Sequence, residues 1–177
     1  GEASPYYLFH PLAADRIADL LPGVGLIALL RDPVARAYSH YRHSVRLGYE
    51  ALSFEAALEA EEGRLAGAAP SSFAHQHFSY QARGRYAEQL ARYARRFAPH
   101  RMLALTSEAF FADPGPTLRR VLDFLDLDAW APSAFPVHNR GSEGSDAPAG
   151  VFQRLRADFE PWNRRLARDF AVDVGPW

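Results

Sequence analysis

Two side chains in the first quarter of the sequence, Arg31 and Ser39, have the types and the spacing to hold an anion. An arginine presents two parallel N–H donors to phosphate oxygens, and a serine hydroxyl adds another. Their setting decides whether they can converge. Leu26 to Leu30 is a short uninterrupted apolar run, which predicts a strand buried on both faces. Arg31 and Asp32 end that run, and Pro33 suits the first turn of a helix, where its missing N–H costs nothing. The helix continues through Arg36, Tyr38, Ser39 and Tyr41 to about Leu47 and stops near Gly48. Arg31 thus falls at the C-terminal end of a strand, with Ser39 about two turns along the next helix. In open α/β sheets ligands bind at that end of the strand. The alternative is an ordinary strand–helix junction whose arginine pairs with a carboxylate.

Other residues could also carry chemistry. His40 and His43 are three apart on the same helix, but they have no evident third ligand and basic neighbours, so a metal site is not expected. Gly67 to Ser79 reads as a loop and contains His75 and His77, candidates for contact with an acceptor molecule or plain surface residues. In Arg83-Gly84-Arg85-Tyr86 the glycine permits close backbone approach just before a helical stripe of Tyr86, Leu90, Tyr93 and Phe97. Glu108 is expected to be structural, as a cap or an arginine partner. Ala131 to Ala149 is a polar, Pro/Gly/Ser-rich stretch, either a connector or a lid in which Arg140 and the backbone of Gly141 and Ser142 wrap a phosphate.

These candidates need elements to hold them. Glu2 to His10 is an irregular lead-in, with Tyr6 and Tyr7 expected in the core. Pro11 to Leu21 is a short helix with Leu12, Ile17, Leu20 and Leu21 on one side. Ser53 is a plausible N-cap for a helix over 54–65, whose acidic run Glu59, Glu61 and Glu62 reads as a solvated face. Met102 to Thr106 is a second buried strand. A helix follows from about Pro116 to Leu125, with Leu118, Val121, Leu122 and Leu125 as core. Val151 to Phe170 is the last helix, bent or restarted at Pro161.

The length suits one domain spanning 1–177. An apolar share of 48% is that of a folded chain, and a net charge of -1 provides no bulk attraction to nucleic acid or to an anionic membrane. The absence of cysteine excludes disulfides and thiolate metal sites. No apolar run approaches the ~20 residues of a membrane span, and no signal peptide is visible, so a cytoplasmic protein is expected. All 20 residues of the Lys+Arg count are arginine, so no step can use a lysine ammonium.

Arg-Asp-Pro, a following arginine and Ser-x-Tyr resemble the 3′-phosphate-binding segment of the sulfotransferases that use 3′-phosphoadenosine 5′-phosphosulfate (PAPS). Further likeness comes from the Arg83–Tyr86 segment, which is similar to one near the acceptor cleft of heparan-modifying and bacterial sulfotransferases. Glu108 to Asp113, Phe124-Leu125, Asn139 to Ser142, Asn163 and Trp177 add to it, in order along the chain. The resemblance implies an α/β, P-loop-kinase-like core, with a small parallel sheet flanked by helices and a helix-rich C-terminal half. It implies that Arg31 and Ser39 hold the 3′-phosphate, that Arg140, Gly141 and Ser142 cover the nucleotide, and that Arg83, Tyr86, His75 and His77 face the acceptor.

Family members also carry an N-terminal phosphosulfate loop, whose amides and lysine hold the 5′-phosphosulfate, and heparan-type relatives carry a catalytic glutamate after it. Neither precedes Glu2, and Ala3 stands where some relatives have lysine. The resemblance therefore implies a sulfotransferase domain lacking its N-terminal strand–loop–helix. It would move a sulfuryl group from PAPS to a hydroxyl or amine of a small-molecule or glycan acceptor, leaving 3′-phosphoadenosine 5′-phosphate (PAP). The alternative is a non-catalytic PAP-binding module or a scaffold. A nucleotide kinase has little support, since no Gly-x-x-x-x-Gly-Lys-Ser/Thr is present.

Overall fold

In a computed structural model, residues 1–136, 149–175 and 177 are described. They form α1 (Ala13–Leu20), β1 (Leu26–Leu30), α2 (Pro33–Arg46), α3 (Phe54–Leu65), α4 (Phe73–His77), α5 (Tyr86–Ala94), β2 (Met102–Thr106), α6 (Ser107–Ala112), α7 (Pro114–Phe124) and α8 (Ala149–Phe170). Single 3₁₀ turns occupy Ala82–Gly84 and Pro99–Arg101. The expected α/β architecture is present: β1 and β2 pair in parallel, from Leu26 opposite Met102 to Leu30 opposite Thr106. A parallel pair needs a long crossover, and α2 to α5 provide it. Among the described residues no helix is long and apolar enough to cross a membrane.

Local sequence sets most boundaries. Asp32 caps α2 by accepting from Val34 N at 2.8 Å and Ala35 N at 3.4 Å, with Pro33 at the first helical position. Gly48 ends that segment at φ 73°, a conformation that favours glycine. Ser53 caps α3 through Ala56 N, as its sequence suggests. The helix α8 runs through Pro161 without a break. Its stripe of Val151, Leu155, Phe159 and Leu166 is buried. So is the α5 stripe of Tyr86, Leu90, Tyr93 and Phe97.

Gly84 shows why its position admits no side chain. A Cβ built there would lie 2.5 Å from Phe159 Cε1 and 2.9 Å from Pro33 Cβ, so this turn is where α8 and the start of α2 close together.

Several expectations are corrected. β1 is not buried on both faces: Ile27 and Leu29 are 42% and 54% exposed, while Leu30 is buried. With one neighbouring strand and a helical layer on one side, the apolar run has cover for only half of its side chains. Leu20 and Leu21 of the first helical stripe are exposed, and Ala13 and Ala14 are buried instead. In α7 Leu118, Val121 and Leu122 are only half-buried and Leu125 is exposed, because this helix packs at the rim beside α6 and β2. Tyr7 is exposed and Tyr6 half-buried. The loop over 67–79 contains the short α4, capped by Ser72. Glu61 is not solvated. It is buried and accepts from Gln81 N at 2.6 Å and Ala82 N at 2.8 Å, and burial raises its pKa.

Candidate functional site

The open side of the sheet, the lead-in and α2 line a broad cleft of about 3340 Å³, whose walls include Arg31, Ser39, Arg83, Tyr86 and Glu108. β1 ends at its rim. Arg31 and Ser39 are both exposed on this cleft. Among the described residues the Arg31 guanidinium has no ion-pair partner, since the ion pairs there involve other arginines. The Asp32 carboxylate beside it is engaged in capping α2.

The backbone that carries Arg31 is held firmly. The Tyr86 hydroxyl donates to the Arg31 carbonyl at 2.9 Å, and Asp32 N donates to Glu108 Oε1 at 2.9 Å. Tyr86 is buried and its pKa is pushed up to about 12, chiefly by burial, so it stays a neutral donor.

Arg36, between the two candidates on α2, is turned inward. Its Nη2 donates to the Tyr80 carbonyl, and burial lowers its pKa. His40, one turn further, stacks edge-on to the Tyr80 ring at 5.1 Å. Burial, then Arg83 and Arg36, push its pKa down to about 3, so it is neutral at neutral pH. Its Nδ1 is buried without a partner among the described residues.

The four acceptor candidates divide. Arg83 and Tyr86 line the cleft, and His75 and His77 are not among its walls. Arg83 donates from Nε to Ser79 Oγ at 2.9 Å and from Nη2 to the Gln76 carbonyl. Its guanidinium lies 4.9 Å from the Tyr6 ring centre and 5.3 Å from that of Phe9, cation–π distances. Burial lowers its pKa to about 10, which leaves it charged. His75 joins the same cluster. Its ring stacks on Phe9 at 4.5 Å, and its Nδ1 meets the Tyr6 hydroxyl at 2.5 Å. His77 sits apart, against Tyr49 at 4.7 Å and Phe73 at 4.5 Å. Burial first, then Arg83, lowers the pKa of both histidines. Arg140, Gly141 and Ser142 lie outside the described residues.

Sequence reasoning overlooked the partners of Glu108. Besides Asp32 N, this carboxylate accepts from Trp177 Nε1 at 3.0 Å. The signal available was the pairing of two strands, each followed two residues later by an acid.

The strand thus ends in an arginine that is exposed on a cleft and has no ion-pair partner among the described residues, with the next helix capped by Asp32 and begun by Pro33, and comparison with known proteins gives the class. The model of the sulfotransferase family matches residues 4–132, so the chain belongs to the sulfotransferase family. It is 32% identical over 198 residues to the human heparan sulfate glucosamine 3-O-sulfotransferase 3B1, covering 98% of this chain and 49% of that protein. The mouse heparan sulfate glucosamine 3-O-sulfotransferase 3B1 is 29% identical over 200 residues, covering 97% of this chain and 49% of its own length. A crystal structure of a sulfotransferase from Alicyclobacillus acidocaldarius superposes with a TM-score of 0.81 at 32% identity, over 100% of this chain and 66% of that one. The chain spans about half the length of the curated relatives it matches.

Proposed function

We propose that this chain is the nucleotide-gripping part of a PAPS-dependent sulfotransferase, acting on a hydroxyl or amine of a small-molecule or glycan acceptor. The carrying observation is the Arg31 guanidinium, exposed on the cleft with no ion-pair partner among the described residues, on a backbone pinned by Tyr86 and Glu108. A phosphate supplies the missing counter-charge. Ser39, exposed on the same cleft, adds a hydroxyl donor. These residues fit the 3′-phosphate end of the nucleotide, while PAPS itself supplies the sulfuryl group.

In-line sulfuryl transfer also needs a base on the acceptor and donors on the leaving phosphate. No lysine can serve as such a donor in this sequence. Arg83 and Tyr86 border the region where an acceptor enters, and Arg140, Gly141 and Ser142 belong to this reading as nucleotide cover. The glycan as acceptor class rests on the likeness to the heparan sulfate enzymes. A cytoplasmic location belongs to the same reading and is checked by fractionation of the native source.

A second reading, a binding module that holds PAP without turnover, is favoured by one observation. Arg83 and His75, the acceptor candidates clustered with the lead-in, are already engaged with Ser79, Gln76 and Tyr6. Calorimetry with PAP tests the shared part. Wild type is expected to bind and Arg31→Ala to bind about 100-fold more weakly, the scale of losing a bidentate charged contact. An unbound wild type refutes both readings. Sulfation of an acceptor by the chain alone, measured with PAPS, decides between them.

A further inference from the structure

Arg31 O and Asp32 N belong to one peptide group, and both of its polar ends are held by side chains distant in sequence. The Tyr86 hydroxyl donates to the carbonyl end at 2.9 Å, and the N–H end donates to Glu108 Oε1 at 2.9 Å. Strand register creates the second contact. Leu30 pairs with Thr106, so the chains leave the sheet side by side, and Asp32 and Glu108 meet two residues beyond.

One residue ties the two holders together. Trp177 donates from its indole N–H to Glu108 Oε2 at 3.0 Å, and its ring lies against that of Tyr86, with centroids 6.0 Å apart and planes at 58°. Both oxygens of Glu108 are thereby occupied, one by the peptide and one by the indole. A carboxylate that accepts a single bond can swing about its terminal torsion. With a second donor fixed on the opposite oxygen it cannot do so without breaking one of the two.

We propose that Tyr86, Glu108 and Trp177 form a clamp on the Arg31–Asp32 peptide plane, with Trp177 as its latch, and that the clamp holds Arg31 in the orientation that grips the nucleotide phosphate. All three are positioning residues. The inference rests on the nucleotide reading of Arg31. Release of this plane frees ψ of Arg31, which redirects the Cα–Cβ bond relative to α2 and turns a long side chain off its target, so affinity is lost without loss of the fold. A preformed grip loses less freedom on binding.

The test uses the whole chain and two variants that keep the packing. Trp177→Phe retains an aromatic ring and removes the N–H. Glu108→Gln retains the shape but replaces one acceptor oxygen with an amide that cannot accept. Amide hydrogen exchange at Asp32 is read without nucleotide, and PAP affinity by calorimetry.

The clamp predicts faster exchange at Asp32 in both variants. It also predicts PAP binding about 10-fold weaker in each, with the rest of the exchange pattern intact, which is the scale of one charged hydrogen bond only partly replaced. Unchanged exchange at Asp32 in Trp177→Phe overturns the latch. Faster exchange with unchanged PAP affinity overturns the link to phosphate gripping and leaves the nucleotide reading standing. A wild type that binds no PAP while Asp32 responds as expected overturns the nucleotide reading and, with it, the purpose assigned to the clamp.

Discussion

β1 and β2 run in register, and each ends in a short polar step into a helix: Arg31-Asp32-Pro33 after one, Ser107-Glu108 after the other. Both helices are capped by an oxygen of the chain itself, Asp32 for α2 and Thr106 for α6, whose Oγ1 accepts from Ala109 N at 3.4 Å. The charged residues then take opposite roles. Glu108 is consumed within the protein by Asp32 N and Trp177 Nε1, whereas Arg31 points its charge at the cleft with no ion-pair partner among the described residues. One junction is a support and its neighbour is the supported end, the one proposed to bind. Side chains of opposite charge just past the ends of adjacent strands need not pair; here the acid accepts from the amide that follows the arginine, and the guanidinium has no ion-pair partner among the described residues.

The contrast is broken most sharply by deleting the free charge. Arg31→Ala should cost the ~100-fold in PAP affinity noted above and leave the thermal midpoint unchanged, because an exposed side chain without internal partners holds nothing together. The calorimetric and melting experiments together check this, and a large drop in melting temperature would place Arg31 with Glu108 as a structural residue.

Acid should act on the same helix through His40. In the folded chain its imidazole resists protonation until about pH 3, against 6.5 for the free group, because of burial and then Arg83 and Arg36. Between those values the unfolded chain binds more protons, so stability rises with pH and is lost as pH falls from 6.5 towards 3. Going from pH 7 to pH 5, this group contributes a loss of up to about 2 kcal/mol. Urea unfolding at the two pH values in wild type and His40→Gln measures it, and equal pH dependence in the two proteins would remove His40 from the account.

Gly84→Ala probes the packing under the Arg31-Asp32-Pro33 junction. The new methyl meets Phe159 and Pro33, at the start of α2, and should cost about 2 kcal/mol in denaturant unfolding, the typical scale of overpacking. The smallest effects distinguish the two caps. Asp32→Ala and Thr106→Ala should each lose about 1 kcal/mol of stability. Only the first is expected to weaken PAP binding, because only that cap adjoins Arg31.

The sequence was most informative at helix caps and at the α5 stripe. Asp32 and Pro33 start α2, Ser53 caps α3, and the stripe of Tyr86, Leu90, Tyr93 and Phe97 is buried as its spacing requires. Gly84 was legible as a close approach, though its contacts, Phe159 and Pro33, come from segments far along the chain in either direction. Composition was weaker where cover had to come from elsewhere. The apolar run of β1 specifies side chains that prefer burial but not the layers that bury them, so Ile27 and Leu29 stand exposed. The acidic run of α3 suggested a solvated face, yet Glu61 turns inward to meet the amides of Gln81 and Ala82.

From residue order alone came the family, the two strands, most helix limits and the pairing of Arg31 with Ser39 as candidates, because each depends on neighbours within a few residues or on an ordered set of short motifs. The partners of Arg31's own peptide, the inward turn of Arg36 and the separation of His77 from His75 were decided only when distant segments came together. Hydrogen-bond direction and burial depend on which segment arrives beside a residue, and the sheet register, which seats Glu108 next to Asp32, is a property of two strands at once.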